Sequence, residues 1–360
     1  MVATLSTSWG FGPQTAKGSV ATTFYKFRVL RAGGGDQTLS EPMPPEAGSD
    51  PFVDGVDALG AFGAEQIDMI PRLEDDFGWL LYAMCGAASM TPSLPVATMS
   101  THVFRVASAD MLDIPYITTR KVLGAGDDDA LWGTQILDCK VQGGIFNFAG
   151  ASRFSARFSI YGREPSFQDD NSWSWDQGPE GNTSIATSIN TVGYFKLPEY
   201  MTAVSYTADE IPVNSARITF GNQLTQPQQE FIIGSPYPFA ISNLYRSMVI
   251  EAVYKWENKD LYAYMRANAG TGASIPWSPV VYESDFRVKM ATSAAFVGTT
   301  PRSIEFYAQR VFWFPSAPPE VAGVNEVLLP FTGVVARPAS GDTFRIEMVN
   351  GRTTAYTWPT

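Results

Sequence analysis

The sequence predicts a mainly β protein: two tandem β-sandwich or barrel domains, each with a short packing helix, followed by a C-terminal β-hairpin. Composition is the first of three observations behind this. In 360 residues there are 23 Phe, 15 Tyr and 9 Trp beside 31 Gly and 25 Pro, the mix of aromatic strands punctuated by turn residues. Second, residues 153–160 alternate strictly, with Phe154, Ala156, Phe158 and Ile160 on one face, the period of a half-buried strand. Third, the chain echoes itself. Residues 75–84 match residues 259–268 at an offset of 184, which lays Asp76 on Asp260, Leu80 on Tyr264 and Leu81 on Met265. A second echo, at an offset of 173, lays Phe158 on Phe331. The period is far too long for a solenoid and points to two domains of one kind.

Taken in order, residues 1–50 read as an extended arm with one strand, Thr23 to Leu30, a Gly33-Gly34-Gly35 run and a Pro-rich stretch from Glu41 to Pro45. A helix over 75–84 opens on acidic residues, which suit the positive end of its dipole, and leaves through glycine. Strands are expected at Thr101 to Ala107, Ile114 to Val122 and Thr134 to Phe148, the last two separated by the acidic loop Asp127-Asp128-Asp129. Residues 163–188 are polar and rich in Pro, Gly and Asp, a natural boundary between the halves. Trp173 and Trp175 are unusual there, because large aromatics in a polar stretch cover an apolar surface or dock on a neighbour. Further strands follow at Ala216 to Phe220, at Ser247 to Trp256 and, beyond the second helix, at Asp285 to Met290, Ser303 to Phe314 and Val327 to Ala336. Phe344 to Val349 and Arg352 to Trp358 flank Asn350-Gly351, a type I′ hairpin signal. The expected division is 1–165, 166–210 as linker, 211–340 and 341–360 as hairpin.

Several chemistries lack their residues. The net charge of −11 argues against a surface that grips phosphates, though it suits a wall past which DNA slides. The single histidine, His102, starts a strand and reads as a structural side chain, so no Ser–His or Cys–His arrangement is expected. Cys85 and Cys139 read as reduced core thiols. Metal sites of the His and Cys type need more ligands than the chain holds, and Asp127 to Asp129 lack the downstream pattern of a calcium loop. Neither catalytic residue, cofactor nor metal is expected. The start of the chain shows no basic-then-apolar leader, and no run approaches the ~20 apolar residues that span a bilayer.

The order of motifs resembles the tail tube (major tail) proteins of long, non-contractile-tailed bacteriophages. It runs from Gly10-Phe11-Gly12 and Tyr25-Lys26-Phe27 through the stretch from Gly60 to Gly86 with its Leu80-Leu81 helix, then His102-Val103-Phe104, Pro115 to Arg120 and Asp138-Cys139-Lys140-Val141. The similarity is continuous over about residues 10–165 and weaker over 210–340. The resemblance implies a non-enzymatic virion protein, assembled in the host cytoplasm into stacked rings around a channel that conducts DNA without specific binding. Two folds per chain favour a trimeric ring with pseudo-six-fold symmetry, with a hexameric ring as the alternative. The implied partners are other copies and the tape measure, tail tip and terminator proteins. Asp127, Asp128 and Asp129 and the arm from Gly33 to Asp50 are the expected stacking residues. A rival reading is a phage receptor- or carbohydrate-binding β-sandwich that uses Trp173 and Trp175 as a stacking platform. A carboxylate-based glycosidase is a more distant rival.

Overall fold

The computed structural model describes residues 8–43, 55–92, 99–106, 114–123, 132–168, 173–175, 185–196, 210–255, 281–297, 300–316 and 328–359. Mainly β is what it shows. The strands are β1 (Ser8–Pro13), β2 (Tyr25–Phe27), β3 (Val29–Pro42), β4 (Val56–Met69), β5 (Gly86–Pro92), β6 (Ser100–Val106), β7 (Ile117–Leu123), β8 (Trp132–Ala149), β9 (Ser155–Gly162) and β10 (Glu164–Gln168). They continue with β11 (Ala186–Lys196), β12 (Glu210–Gly221), β13 (Ser247–Lys255), β14 (Tyr282–Val297), β15 (Thr300–Pro315), β16 (Leu328–Val335) and β17 (Phe344–Asn350). One α-helix, α1 (Asp75–Cys85), lies among the described residues. The second predicted helix, over 259–268, lies outside them.

The ladders are antiparallel and follow the same circuit twice. In the first half β1 pairs with β2 and β7, β7 with the start of β8, the later part of β8 with β9, β9 with β4, and β4 with β3. Only Arg28 separates β3 from β2, which closes the circuit. In the second half β11 pairs with β12 and β14, β14 with β15, the end of β15 with β16, β16 with β13, and β13 with β12. Phe158 of β9 faces Ile67 of β4, and Phe331 of β16 faces Ala252 of β13. The Phe158/Phe331 echo thus falls on corresponding strands. Glu65 of β4 is buried, and its carboxylate accepts from the Trp9 indole of β1 at 3.1 Å.

Packing fuses the two circuits. A single cluster of buried side chains runs from Trp9 and Phe11 through Phe146, Phe158, Phe306 and Phe331 to Tyr356. At its centre Phe306 of β15 meets Phe146 and Phe148 of β8, with ring centroids 4.8 and 5.1 Å apart. Such pairs are worth about 0.5–1.5 kcal/mol beyond the area they bury. The helix is buried nearly all round, at Phe77, Trp79, Leu80, Leu81, Ala83, Met84 and Cys85. Gly86 ends it in the left-handed conformation (φ 88°), its N–H donating to the Tyr82 carbonyl. Gly78 is required sterically, because a Cβ there would stand 2.1 Å from the Tyr356 ring.

Three expectations need correction. The C-terminal hairpin does not form: β17 is flanked by β15 and β6, so neither edge is free for a returning strand. Residues 352–359 instead form a strap without strand structure across the helix. Tyr356 sits edge-on to Trp79, Trp358 stacks on Tyr82, and the Trp358 indole donates to the Gln14 carbonyl at 2.9 Å. The linker expected over 166–210 contains β11, which closes the second circuit, and the end of β10. The described part of the N-terminal arm is largely strand of the first circuit, where all of β1 is buried. The far end of the β3–β4 hairpin is mostly exposed.

This packing sets the expected response to truncation. Phe158→Ala and Phe331→Ala should each lower the unfolding free energy by about 3–5 kcal/mol, as measured by urea denaturation. Because the core is continuous, each variant should still unfold in one transition; two resolved transitions would show halves that fold independently. Burial pushes the Glu65 carboxyl above the ordinary value, against hydrogen bonds from Trp9 and Thr119 and the charge of Lys121. A carboxyl raised in the folded state contributes stability below its unfolded value, about 4.3, and loses it as pH rises through the folded value. Glu65→Gln should therefore gain stability relative to the parent as pH rises above about 4.3, in denaturation curves recorded as a function of pH.

Candidate assembly edges

The junction between the halves is made edge to edge. The later part of β8 keeps its ladder with β9 on one side and pairs with β12 on the other, Gly143 opposite Gly221 and Phe146 opposite Ile218. Beside it β6 of the first half pairs with β17 of the second, Phe104 opposite Ile346. Buried polar groups fix the joint. The Asn222 amide donates to the carbonyls of Met84 (3.0 Å) and Val141 (2.8 Å), the first in the last turn of the helix. Lys140, buried, donates to the Ile241 carbonyl at 3.0 Å, and Arg302 of β15 pairs with Glu74 at the start of the helix.

Comparing the circuits shows which edges are unfilled. β10 pairs with the start of β8 as β17 pairs with the start of β15. The outer edge of β17 carries β6, whereas the ladder of β10 among the described residues is with β8, on its other edge. Likewise β3 corresponds to β12, with Gly33 opposite Gln66 where Arg217 is opposite Glu251. The edge of β12 over Ser215–Gly221 carries β8, but the matching stretch of β3, Arg31 to Gln37, carries no strand among the described residues. There the Lys121 ammonium donates to the Gly34 carbonyl. Next to the β10 edge, Trp132 and Phe167 form an aromatic pair 5.5 Å apart, with Phe167 60% exposed.

The expected site residues divide three ways. Asp127, Asp128 and Asp129 lie outside the described residues. Trp173 and Trp175 are half-buried against their own chain: the Arg120 guanidinium lies 4.8 Å from the Trp173 ring, and the Trp175 ring lies against Gly10 of β1. They cover the β1–β7 face. The arm residues from Gly33 to Pro42 belong to β3, and residues 44–50 lie outside the described residues. His102 is buried, with Nε2 3.0 Å from the Arg352 carbonyl oxygen and the Tyr356 ring packed against it. Both cysteines are buried and free. Burial pushes the Cys85 thiol up to about 12 and raises that of Cys139 further. Among the described residues no three His, Cys, Asp or Glu side chains gather as a metal site, and no helix is long and apolar enough to cross a membrane.

One exposed patch went unread in the sequence. The β12–β13 connection presents Ile232, Ile233, Phe239, Leu244 and Tyr245 to solvent. It is anchored on the first half: the Ala61 amide donates to the Pro236 carbonyl at 2.9 Å, Phe231 packs over Gly60, and Lys17 lies over the Phe239 ring. The adjacent Ile232-Ile233 in a run of polar, Pro and Gly residues is the signal that points to it.

If Asn222 locks the halves, Asn222→Ala should leave two buried carbonyls short of a donor and lower stability by about 2 kcal/mol in urea denaturation. A change within about ±0.5 kcal/mol, the usual range for surface substitutions, would mark this contact as incidental. No family model matches the chain, and no curated protein matches it with significant similarity.

Proposed function

We propose that this chain is a structural virion protein that assembles into stacked rings, forming the tail tube through which a long, non-contractile-tailed bacteriophage passes its DNA. One observation carries the proposal. The same barrel circuit occurs twice, the copies are joined through two strand edges, and the corresponding two edges of the first copy carry no strand among the described residues. A head-to-tail contact of this kind closes into a ring when its rotation divides a full turn. With two barrels per chain, three chains give a pseudo-six-fold ring. The exposed β3–β4 hairpin and the Ile232–Ile233 loop supply material for contacts between rings.

The chemistry of conduction is physical and needs no catalytic group. At a net charge of −11 the protein repels a polyanion weakly through salt, which keeps DNA mobile in a bore. Tape measure, tail tip and terminator proteins are the proposed partners, and the virion tail is the proposed location. The glycan-binding rival loses support because Trp173 and Trp175 lie against their own chain.

Electron microscopy of the purified protein, alone and with tail-tip partners, should reveal rings or tubes. Duplex DNA should show no binding tighter than about 10 μM at physiological salt, near the weaker half of the usual non-specific range. Particles that stay monomeric with partners present, or tight salt-sensitive DNA binding, would remove the tube reading.

A further inference from the structure

The junction inside one chain is a template for the junction between chains. It consists of a strand extension, β8, laid on the edge of β12, with β17 supported alongside by β6. Both receiving strands have counterparts in the first half, β3 and β10, and neither counterpart carries a strand on that edge among the described residues. The donor has a counterpart too. Gly143 of β8 faces Ser159 of β9, and Phe314 of β15 faces Thr332 of β16, so Phe314 stands where Gly143 does. Beyond Trp313, opposite Tyr282, β14 no longer accompanies β15 among the described residues. The side on which β8 receives β12 therefore carries no strand at the end of β15 among those residues.

We propose that the end of β15 in one copy pairs with the outer edge of β3 in the next. Register follows from the internal junction. Gly143 faces Gly221 of β12, and Gln37 of β3 is the counterpart of Gly221, so Phe314 of one chain faces Gln37 of its neighbour. Two local features suit this contact. The β3 edge contains Gly33, Gly34 and Gly35, and glycine within a strand permits close approach of another backbone. Phe314 is 40% exposed and Gln37 is also exposed, although each lies on a paired strand. This joint rests on the ring-forming reading and specifies it, because a contact between unlike surfaces propagates from chain to chain.

Cysteine cross-linking tests the register. Gln37→Cys and Phe314→Cys are surface changes, and the native thiols are buried. The two variants should be assembled together and oxidised, then run on a non-reducing gel. A covalent dimer is expected from the mixture and from neither variant alone, and the chain carrying both changes should give a ladder that ends at the ring size. Rings or tubes that assemble without this dimer would overturn the joint and leave the tube reading standing. A dimer from Gln37→Cys alone would also overturn it, since that requires like edges to meet. Cross-linked rings that never stack would support the joint while counting against the tube. Monomers without cross-links would overturn both.

Discussion

Everything in this molecule hangs on β8. This strand of 18 residues serves two circuits, pairing with β7 and β10 over its first part and with β9 and β12 over its second. A flat strand could not do so. The turn between the two uses is made near Asp138, whose φ of 54° lies in the left-handed region. That conformation is held by a tight set of partners. The Asp138 carboxylate accepts from Arg163 (2.7 Å), the Gly18 amide (2.6 Å) and the Gln14 amide (3.1 Å), while its own N–H donates to Gln14. Asparagine and aspartate tolerate this region better than other side chains, so residue choice and bend agree.

Once β8 is bent, the aromatic content has one consistent place to go. Its second part presents Phe146 and Phe148 to Phe154, Phe158 and Phe306, knitting β15 of the second half to strands of the first. The hydrogen bonds of β8 with β12 then run beside a dry interior rather than across a wet cleft. Backbone bonds of this kind contribute only about 1 kcal/mol each against water, and the apolar core makes them persistent. The same reasoning explains why the joint tolerates buried Lys140 and Asn222, each of which has a carbonyl to meet.

Legibility in the sequence followed locality. The helix announced itself through Asp75 and Asp76 at its start and Gly86 at its end, and β9 and β13 through strict alternation. Position along the chain said nothing of β11, which pairs at long range with β14 from within a stretch whose polarity suggested a linker. Asn350-Gly351 is a genuine local hairpin signal that tertiary pairing overrode, because β6 occupies the edge of β17 that a returning strand would need. Trp173 and Trp175 were legible as aromatics needing a surface, but which surface was not: it belongs to strands β1 and β7, far earlier in the chain. The edges that carry no strand among the described residues were invisible for the same reason, since an edge is defined only by the strands that do not arrive.

Open edges in an isolated protein invite indiscriminate pairing, and the edges of β3 and β10 that carry no strand among the described residues are guarded. β10 contains Pro165, which has no N–H to donate to a ladder. On β3, Gly34 and Gly35 have φ of 80° and 147°, a local irregularity that a partner strand must match. Arg31 and Asp36 place charge along the same edge, and the Lys121 ammonium already holds the Gly34 carbonyl. None of these devices forbids a partner whose shape and register match the chain's own internal junction, but each penalises one that lacks them. In the proposed assembly, selectivity of this kind favours a joint that stays shut to other sheets and closes when a correctly oriented neighbour arrives.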